Sequence, residues 1–351
     1  MATDTLNPRS WLYPTPRGLY CEPGDFYVDP AVAVARAVIT HGHGDHARPG
    51  HRAALATPET LAIMRARFED MPNTTQQPLA YGETIRLGEV DVRLAPAGHI
   101  LGSAQAVLAF RGQRIVVSGD FKRRPDPTCL PFEPVPCDVF ITEATFALPV
   151  FRHPSDAGEI GKLLRSAATF PERTHLVGVY ALGKCQRVIK LLRAAGYDQR
   201  IWLHGALLSL CKLYQEHGID LGDVAPVSDA ILETFKGAIV LCPPSAMADR
   251  WSRRFADPVA AVCSGWMGVR ARARQSGAEL PLVISDHADW DGLTATIEAT
   301  GAGEVWVTHG QEDALVHWCK AKGLAARPLD LVGYGDEEES DAVPAAEGDA
   351  T

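Results

Sequence analysis

Residues 41–46 read His-Gly-His-Gly-Asp-His, three imidazoles and one carboxylate within six positions. No other stretch restricts the fold as strongly. The apolar run Ala37-Val38-Ile39 stands just before it and reads as a short buried strand. Gly42 and Gly44 separate the polar residues where a side chain would crowd a turn. A strand that runs into such a loop aims several donor atoms at one point. The spacing divides them: His41 and His43 can face one metal ion, and Asp45 and His46 a second beside it. Short tracts of this kind favour metal binding over a solvated loop.

The rest of the chain has to build a scaffold around that loop. Its 351 residues allow about two domains. A 46% apolar and 22% charged composition is that of a globular protein with a sizeable core. No run of about 18 apolar residues exists, so no membrane span is expected. Met1 to Arg17 lacks a basic segment followed by an apolar core, so no secretory signal is expected either. Eight cysteines without a C-x-x-C pair then read as reduced thiols in a cytoplasmic protein, with Cys242 and Cys263 as core residues. The net charge of −9 is unevenly spread. Residues 336–351 hold seven acids and no base, whereas residues 156–274 hold 16 Lys and Arg against 11 Asp and Glu. A basic segment is thus set inside an acidic one, a polarity that suits an anionic polymer substrate.

Taken in order, strand-like pieces occur at Leu19-Cys21, Phe26-Val28 and Ala37-Ile39. Thr57-Pro58-Glu59 then caps a helix that runs to about Phe68. From 83 to 146 the pattern is β, with strands at Val90–Leu94, Ala104–Phe110, Arg114–Ser118 and Asp138–Thr142. A polar residue able to bind metal or move protons stands at the end of several strands: His46, His99, Asp120 and Glu143. Strand ends facing one crevice are where α/β sheets build sites. From about 153 helices and strands alternate, which predicts a small parallel sheet and a second α/β unit. Leu282-Val283-Ile284 predicts a strand that returns to the first unit and ends in Ser285-Asp286-His287-Ala288-Asp289. Val305–Thr308 predicts another, ending in His309-Gly310. The tail from Asp336 carries no apolar pattern and is expected to be disordered.

Seven residues then form a plausible two-metal set: His41, His43, Asp45, His46, His99, Asp120 and His309. Imidazole and carboxylate ligands suit Zn²⁺ or Mn²⁺. A carboxylate such as Asp120 can bridge two ions, which together activate a hydroxide and neutralise a phosphoryl oxygen.

His-x-His-x-Asp-His with Gly98-His99, Ser118-Gly119-Asp120 and Thr308-His309-Gly310 resembles the metallo-β-lactamase fold. Thr142-Glu143-Ala144-Thr145, Ser285–Asp289 and the inserted α/β segment resemble the β-CASP nucleases. Gly18–Cys21, Gly24–Pro30, Arg36–Thr40, His46–His51 and Ala97–Ala104 resemble the bacterial ligase-associated DNA exonucleases. The resemblance covers about residues 10–335. It implies an αββα sandwich of 1–154 and 273–335, with an α/β cap inserted at 155–272 and an acidic tail at 336–351. It also implies that one ion takes His41, His43 and His99, the other Asp45, His46 and His309, and that Asp120 bridges them. Phosphodiester hydrolysis to a 5′-phosphate and a 3′-hydroxyl follows, with His287 as general acid and Glu143 orienting it. Implied companions are DNA with a single strand or free end, an ATP-dependent ligase and a helicase. Crosslink-repair relatives imply attack from a 5′ end.

Candidate substrate contacts are Arg48 and His51 after the metal loop, and Gly183 and Lys184 at a strand-to-helix turn. Ser264, Gly265 and Trp266 follow another strand, where the indole could stack on a base. A basic run from Arg250 to Arg274 could follow a strand backbone. Two competing enzymes share this chemistry, an RNA-processing β-CASP nuclease and a small-molecule hydrolase of the same fold. The long insertion and His287 argue against the second. A non-catalytic scaffold is disfavoured because all seven ligand positions are filled.

Overall fold

Val90, Val92 and Leu94 alternate with Asp91 and Arg93, which sorts the side chains of that strand to two faces. In the computed structural model, which describes residues 6–68 and 71–331, the three apolar ones enter a core shared by two sheets. The first sheet has six strands in chain order: Leu12–Thr15, Gly18–Cys21, Phe26–Val28, Arg36–Val38, Ala53–Ala56 and Thr75–Pro78. Its first three strands pair antiparallel and the rest parallel.

The second sheet has seven strands. Their order is Ala325–Pro328, Glu304–Gly310, Val139–Ala144, Gln113–Val117, Ala104–Phe110, Val90–Pro96 and Thr84–Leu87. The last four form an antiparallel meander, and the strands at the other end pair parallel. Leu19, Phe26, Val38 and Leu55 of the first sheet share the core with Leu108, Ile115, Ile141 and Trp306 of the second. The other faces take the helices. Ala54 and Ala56 pack with Leu61 and Met64 of the helix Pro58–Arg67. Val116, Phe140 and Val305 pack with Leu293 and Ile297 of Trp290–Thr300 and Leu315 of Glu312–Ala321. Each helix covers one sheet face with an apolar stripe, so the layers are αββα.

The described chain divides into two units, at Arg152/His153 and at Asp286/His287. The inserted unit has a six-stranded parallel sheet, in the order Val224–Pro226, Ile201–Leu203, Ile239–Cys242, His175–Gly178, Val259–Cys263 and Leu280–Leu282. Its two central strands are buried at every residue, as parallel strands covered on both faces must be. The fold is a metallo-β-lactamase sandwich with an inserted α/β cap.

One strand departs from expectation. Leu282-Val283-Ile284 was expected to rejoin the first unit. Instead Leu280–Leu282 pairs with Val259–Cys263, and the inserted unit runs past residue 272 to Asp286. A local apolar run specifies a strand, not the sheet that it joins. The acidic tail at 336–351 lies outside the described residues. Among the described residues no helix is long and apolar enough to cross a membrane.

Candidate metal centre and active site

The strand Arg36–Val38 delivers the His loop into the first unit. Gly42 is required there, because a Cβ would stand 2.5 Å from Ile63 Cγ2. His99 follows the strand Val90–Pro96, and the Ser103 hydroxyl accepts the His99 and Ile100 amides at 3.1 and 3.2 Å, fixing that turn. Asp120 follows Gln113–Val117. His309 is placed by an irregularity. Thr142 pairs with Val307 but Ala144 with Gly310, so one extra residue is accommodated in the strand Glu304–Gly310. His309 takes a φ of 60°. Such bulges re-aim a side chain, often beside active sites.

These elements bring the seven expected ligands into two buried groups. His41, His43, His99 and Asp120 form one, and Asp45, His46 and His309 the other, with one candidate ligand atom per residue within 4.8 Å of the rest of its group. Asp120 stands between the two. Its Oδ2 is 3.4 Å from His41 Nε2 and 3.3 Å from His46 Nε2, and its Oδ1 is 3.1 Å from His309 Nδ1. Asp45 Oδ2 is 3.6 Å from His46 Nε2 and 3.7 Å from His309 Nε2.

Burial lowers the pKa of His41 well below the ordinary histidine value, and neighbouring His46 adds to the effect. Burial acts the same way on His46, but Asp120 and Asp45 outweigh it and raise its pKa well above normal. Burial pushes Asp120 up, while His46 and His309 outweigh it and hold the carboxyl well below the usual range. The carboxylates therefore demand positive charge, which divalent ions supply. Among the described residues, both oxygens of Asp45, Oδ2 of Asp120 and Nε2 of His41 are buried and find no hydrogen-bond partner. Leaving such atoms unmade costs about 1–3 kcal/mol each. A buried set of imidazole nitrogens and carboxylate oxygens fits a binuclear metal site.

Next to this centre, Glu143, His287 and Asp120 form a third group. Glu143 Oε2 is 2.8 Å from His287 Nδ1, and its Oε1 accepts the Phe121 amide at 2.8 Å. The His287 ring lies 4.8 Å from that of His99, centroid to centroid.

No family model matches the chain. It is 30% identical to a protein of Opitutus terrae named as a probable DNA ligase, over 90% of this chain and 31% of that one. It therefore spans about a third of that relative's length. It is 27% identical to a Thermus thermophilus ribonuclease, over 86% of this chain and 87% of the relative. A crystal structure of a protein of unknown function from Enterococcus faecalis shares the fold, with a TM-score of 0.56 at 14% identity over 85% of this chain and 80% of that one. These likenesses and the metal-type cluster agree on one grouping. The chain has the metallo-β-lactamase fold and is similar to nucleases of the β-CASP type.

In this chain the expected substrate contacts have varied surroundings. Arg48 is half-buried. His51 is turned into the fold, 1% exposed, with its Nδ1 accepting the Val34 amide at 3.3 Å. Burial lowers its pKa. Gly183 starts the helix Lys184–Ala194, and its amide goes to Gln186 Oε1. Lys184 is buried, with its Nζ 2.8 Å from Asp286. That ammonium holds a carboxylate within its own unit, where the sequence suggested a phosphate. Ser264 Oγ accepts the Trp266 amide, Gly265 is buried, and the Arg272 guanidinium lies 5.4 Å from the half-buried Trp266 ring. Asp289 caps the helix Trp290–Thr300 and pairs with Arg124 at 2.9 Å.

Two supporting residues escaped the sequence reading. Asp29 Oδ1 accepts the Thr40 amide at 2.8 Å, and its Oδ2 takes the Thr40 hydroxyl at 2.6 Å and His46 Nδ1 at 2.8 Å. Thr40 Oγ1 is in turn 3.1 Å from His41 Nδ1. Each contact occupies Nδ1 and directs Nε2 of its ring to the centre, as partners of metal-binding histidines do. The signal was present: Asp29 ends the strand Phe26–Val28, as Glu143 ends an apolar run.

Proposed function

We propose that the chain is a metal-dependent DNA exonuclease that hydrolyses phosphodiester bonds in DNA repair, working from a 5′ end. The observation that carries this reading is the buried Glu143–His287 pair beside the metal cluster. Water attack on a phosphodiester needs no second imidazole, but departure of a sugar oxygen needs a proton donor.

In this reading His41, His43 and His99 would hold one Zn²⁺ or Mn²⁺ ion and Asp45, His46 and His309 the other, with Asp120 serving both. When bound, the ions polarise the phosphoryl oxygen and lower the pKa of water. His287 delivers the proton at Nε2 to the departing 3′ oxygen, leaving a 3′-hydroxyl and a 5′-phosphate. Glu143 holds the ring's orientation through Nδ1.

The Opitutus relative named as a probable DNA ligase supports DNA as substrate and a functional link to a ligase; the helicase companion rests on the sequence resemblance alone. The Thermus ribonuclease, matched along most of its own length, favours a second reading in which RNA is cut by the same groups. The deciding experiment is digestion of matched DNA and RNA strands, labelled at either end, single- and double-stranded, with Zn²⁺ and Mn²⁺. Stepwise shortening of DNA from the 5′ end with RNA intact is expected. Preferred RNA cleavage would overturn the DNA assignment in favour of the second reading.

A further inference from the structure

The first unit carries a groove of about 890 Å³ between the helix Glu312–Ala321, the start of the helix Trp290–Thr300 and the segment at 148–149; Gly310, next in the chain to His309, reaches its edge. Its floor is apolar, with Leu148, Pro149, Trp290 and Trp318. Val150, next in the chain, is 76% exposed. Exposed apolar surface next to a groove marks a place where something docks.

Charge narrows the occupant. Glu312 and Asp313 line the groove. They stand in the first turn of their helix, where the helix dipole favours acids. Asp330 belongs to another segment, yet its charge is felt at Glu312. Burial, with Asp330 and Asp313 beside it, pushes the Glu312 carboxyl up to about 7. Among the described residues none of the three forms an ion pair, and the nearby Lys322, which lies 5.2 Å from the Trp318 ring, pairs with Glu298. Three carboxylates repel a phosphate backbone and attract a cation. Two indoles favour an apolar or aromatic side chain beside that cation.

We infer that this groove docks a short segment of another protein, in which an apolar side chain stands beside a lysine or arginine. The apolar residue enters between Trp290 and Trp318, and the cation meets Glu312, Asp313 and Asp330.

The test is to pan a random-peptide phage library on the metal-loaded 351-residue chain. The selected peptides are then measured against wild type, Trp318→Ala and Glu312→Lys. Peptides with Lys or Arg next to a large apolar residue are expected. Their affinity should fall about tenfold or more in each variant, as at interface hot spots. Reversing the peptide's charge should restore binding to Glu312→Lys. Three outcomes overturn the inference: no enrichment over an unrelated immobilised protein, enrichment of acidic peptides, or selected peptides that bind all variants equally. Displacement of the peptides by a single-stranded oligonucleotide would assign the groove to nucleic acid instead. Self-association in sedimentation that Trp318→Ala abolishes would assign it to a second copy of the chain. Circular dichroism confirms that each variant is folded, and none of the substitutions touches the metal centre.

Discussion

Glu143 Oε2 and His287 Nδ1 are 2.8 Å apart although 144 residues separate them in the chain. Both side chains are buried, and the second carboxylate oxygen is committed to the Phe121 amide. The carboxylate can therefore neither swing away nor turn without losing a bond. His287→Ala is expected to keep the full metal content while turnover falls by about 10²–10⁴, the usual worth of a positioned acid. Elemental analysis with single-turnover cleavage checks this. Loss of an ion would make His287 a ligand and refute its role as acid.

Asp29→Asn tests the support beneath the centre. Asparagine tolerates the left-handed backbone at this position, where φ is 42°. It still accepts from Thr40, but its amide nitrogen would face His46 Nδ1 with a donor where the carboxylate had an acceptor. The ring then favours the tautomer with its proton on Nε2, the atom turned to the centre. Metal affinity is expected to fall by about 10–100-fold with the fold intact, measured by competition with a chelator. Unchanged affinity would show that Asp29 only braces the loop.

Much of this arrangement was legible because it is local. The cluster at 41–46 is contiguous, and His99, Asp120 and Glu143 each close a strand whose alternation or apolar run can be read from a few residues. The αββα layers follow from the same alternation. What escaped depends on partners far away in the chain. The Lys184–Asp286 pair joins residues about a hundred positions apart, and helix propensity says nothing about it. Thr75–Pro78 and Ala325–Pro328 are outer strands without a buried side chain, so no apolar period announces them. The displacement that aims His309 exists only as a mismatch of register between two strands.

That mismatch makes Gly310 a second test. Its φ is 134°, and a Cβ would lie 2.2 Å from the Ala144 carbonyl oxygen. Gly310→Ala must push the two strands apart where they hold His309. A loss of about 2–3 kcal/mol is expected, with weaker binding of the ion for which His309 is the proposed ligand. Gly112→Ala is the control: φ there is 81° but a Cβ meets nothing within 4 Å, so only the backbone cost of about 1–2 kcal/mol applies. Denaturant unfolding of both variants with metal titration separates the contributions. Equal losses with equal metal affinity would show that the contact with Ala144 is unimportant.

The division of the ligands leads to a prediction about stoichiometry. If Asp45, His46 and His309 hold one ion and His41, His43 and His99 the other, removing Asp45 should weaken one site and leave its neighbour filled. Asp45→Ala is then expected to retain about one ion per chain where the wild type retains two, a count that follows from the two-ion arrangement. Asp120 lies within 3.4 Å of His41 and of His46, so Asp120→Ala should empty both sites and abolish cleavage. Metal also stabilises the folded state by mass action, by about 2.7 kcal/mol per ion at a hundredfold excess over Kd. Chelation should therefore lower the wild-type melting temperature more than that of Asp45→Ala, and barely change that of Asp120→Ala. Elemental analysis of gel-filtered protein and thermal melts with and without chelator read both effects. Two ions retained in Asp45→Ala, or full cleavage by Asp120→Ala, would refute the ligand assignment. The order of the three melting shifts distinguishes a bridging carboxylate from two separate sites, because only a bridge makes one substitution remove both ions.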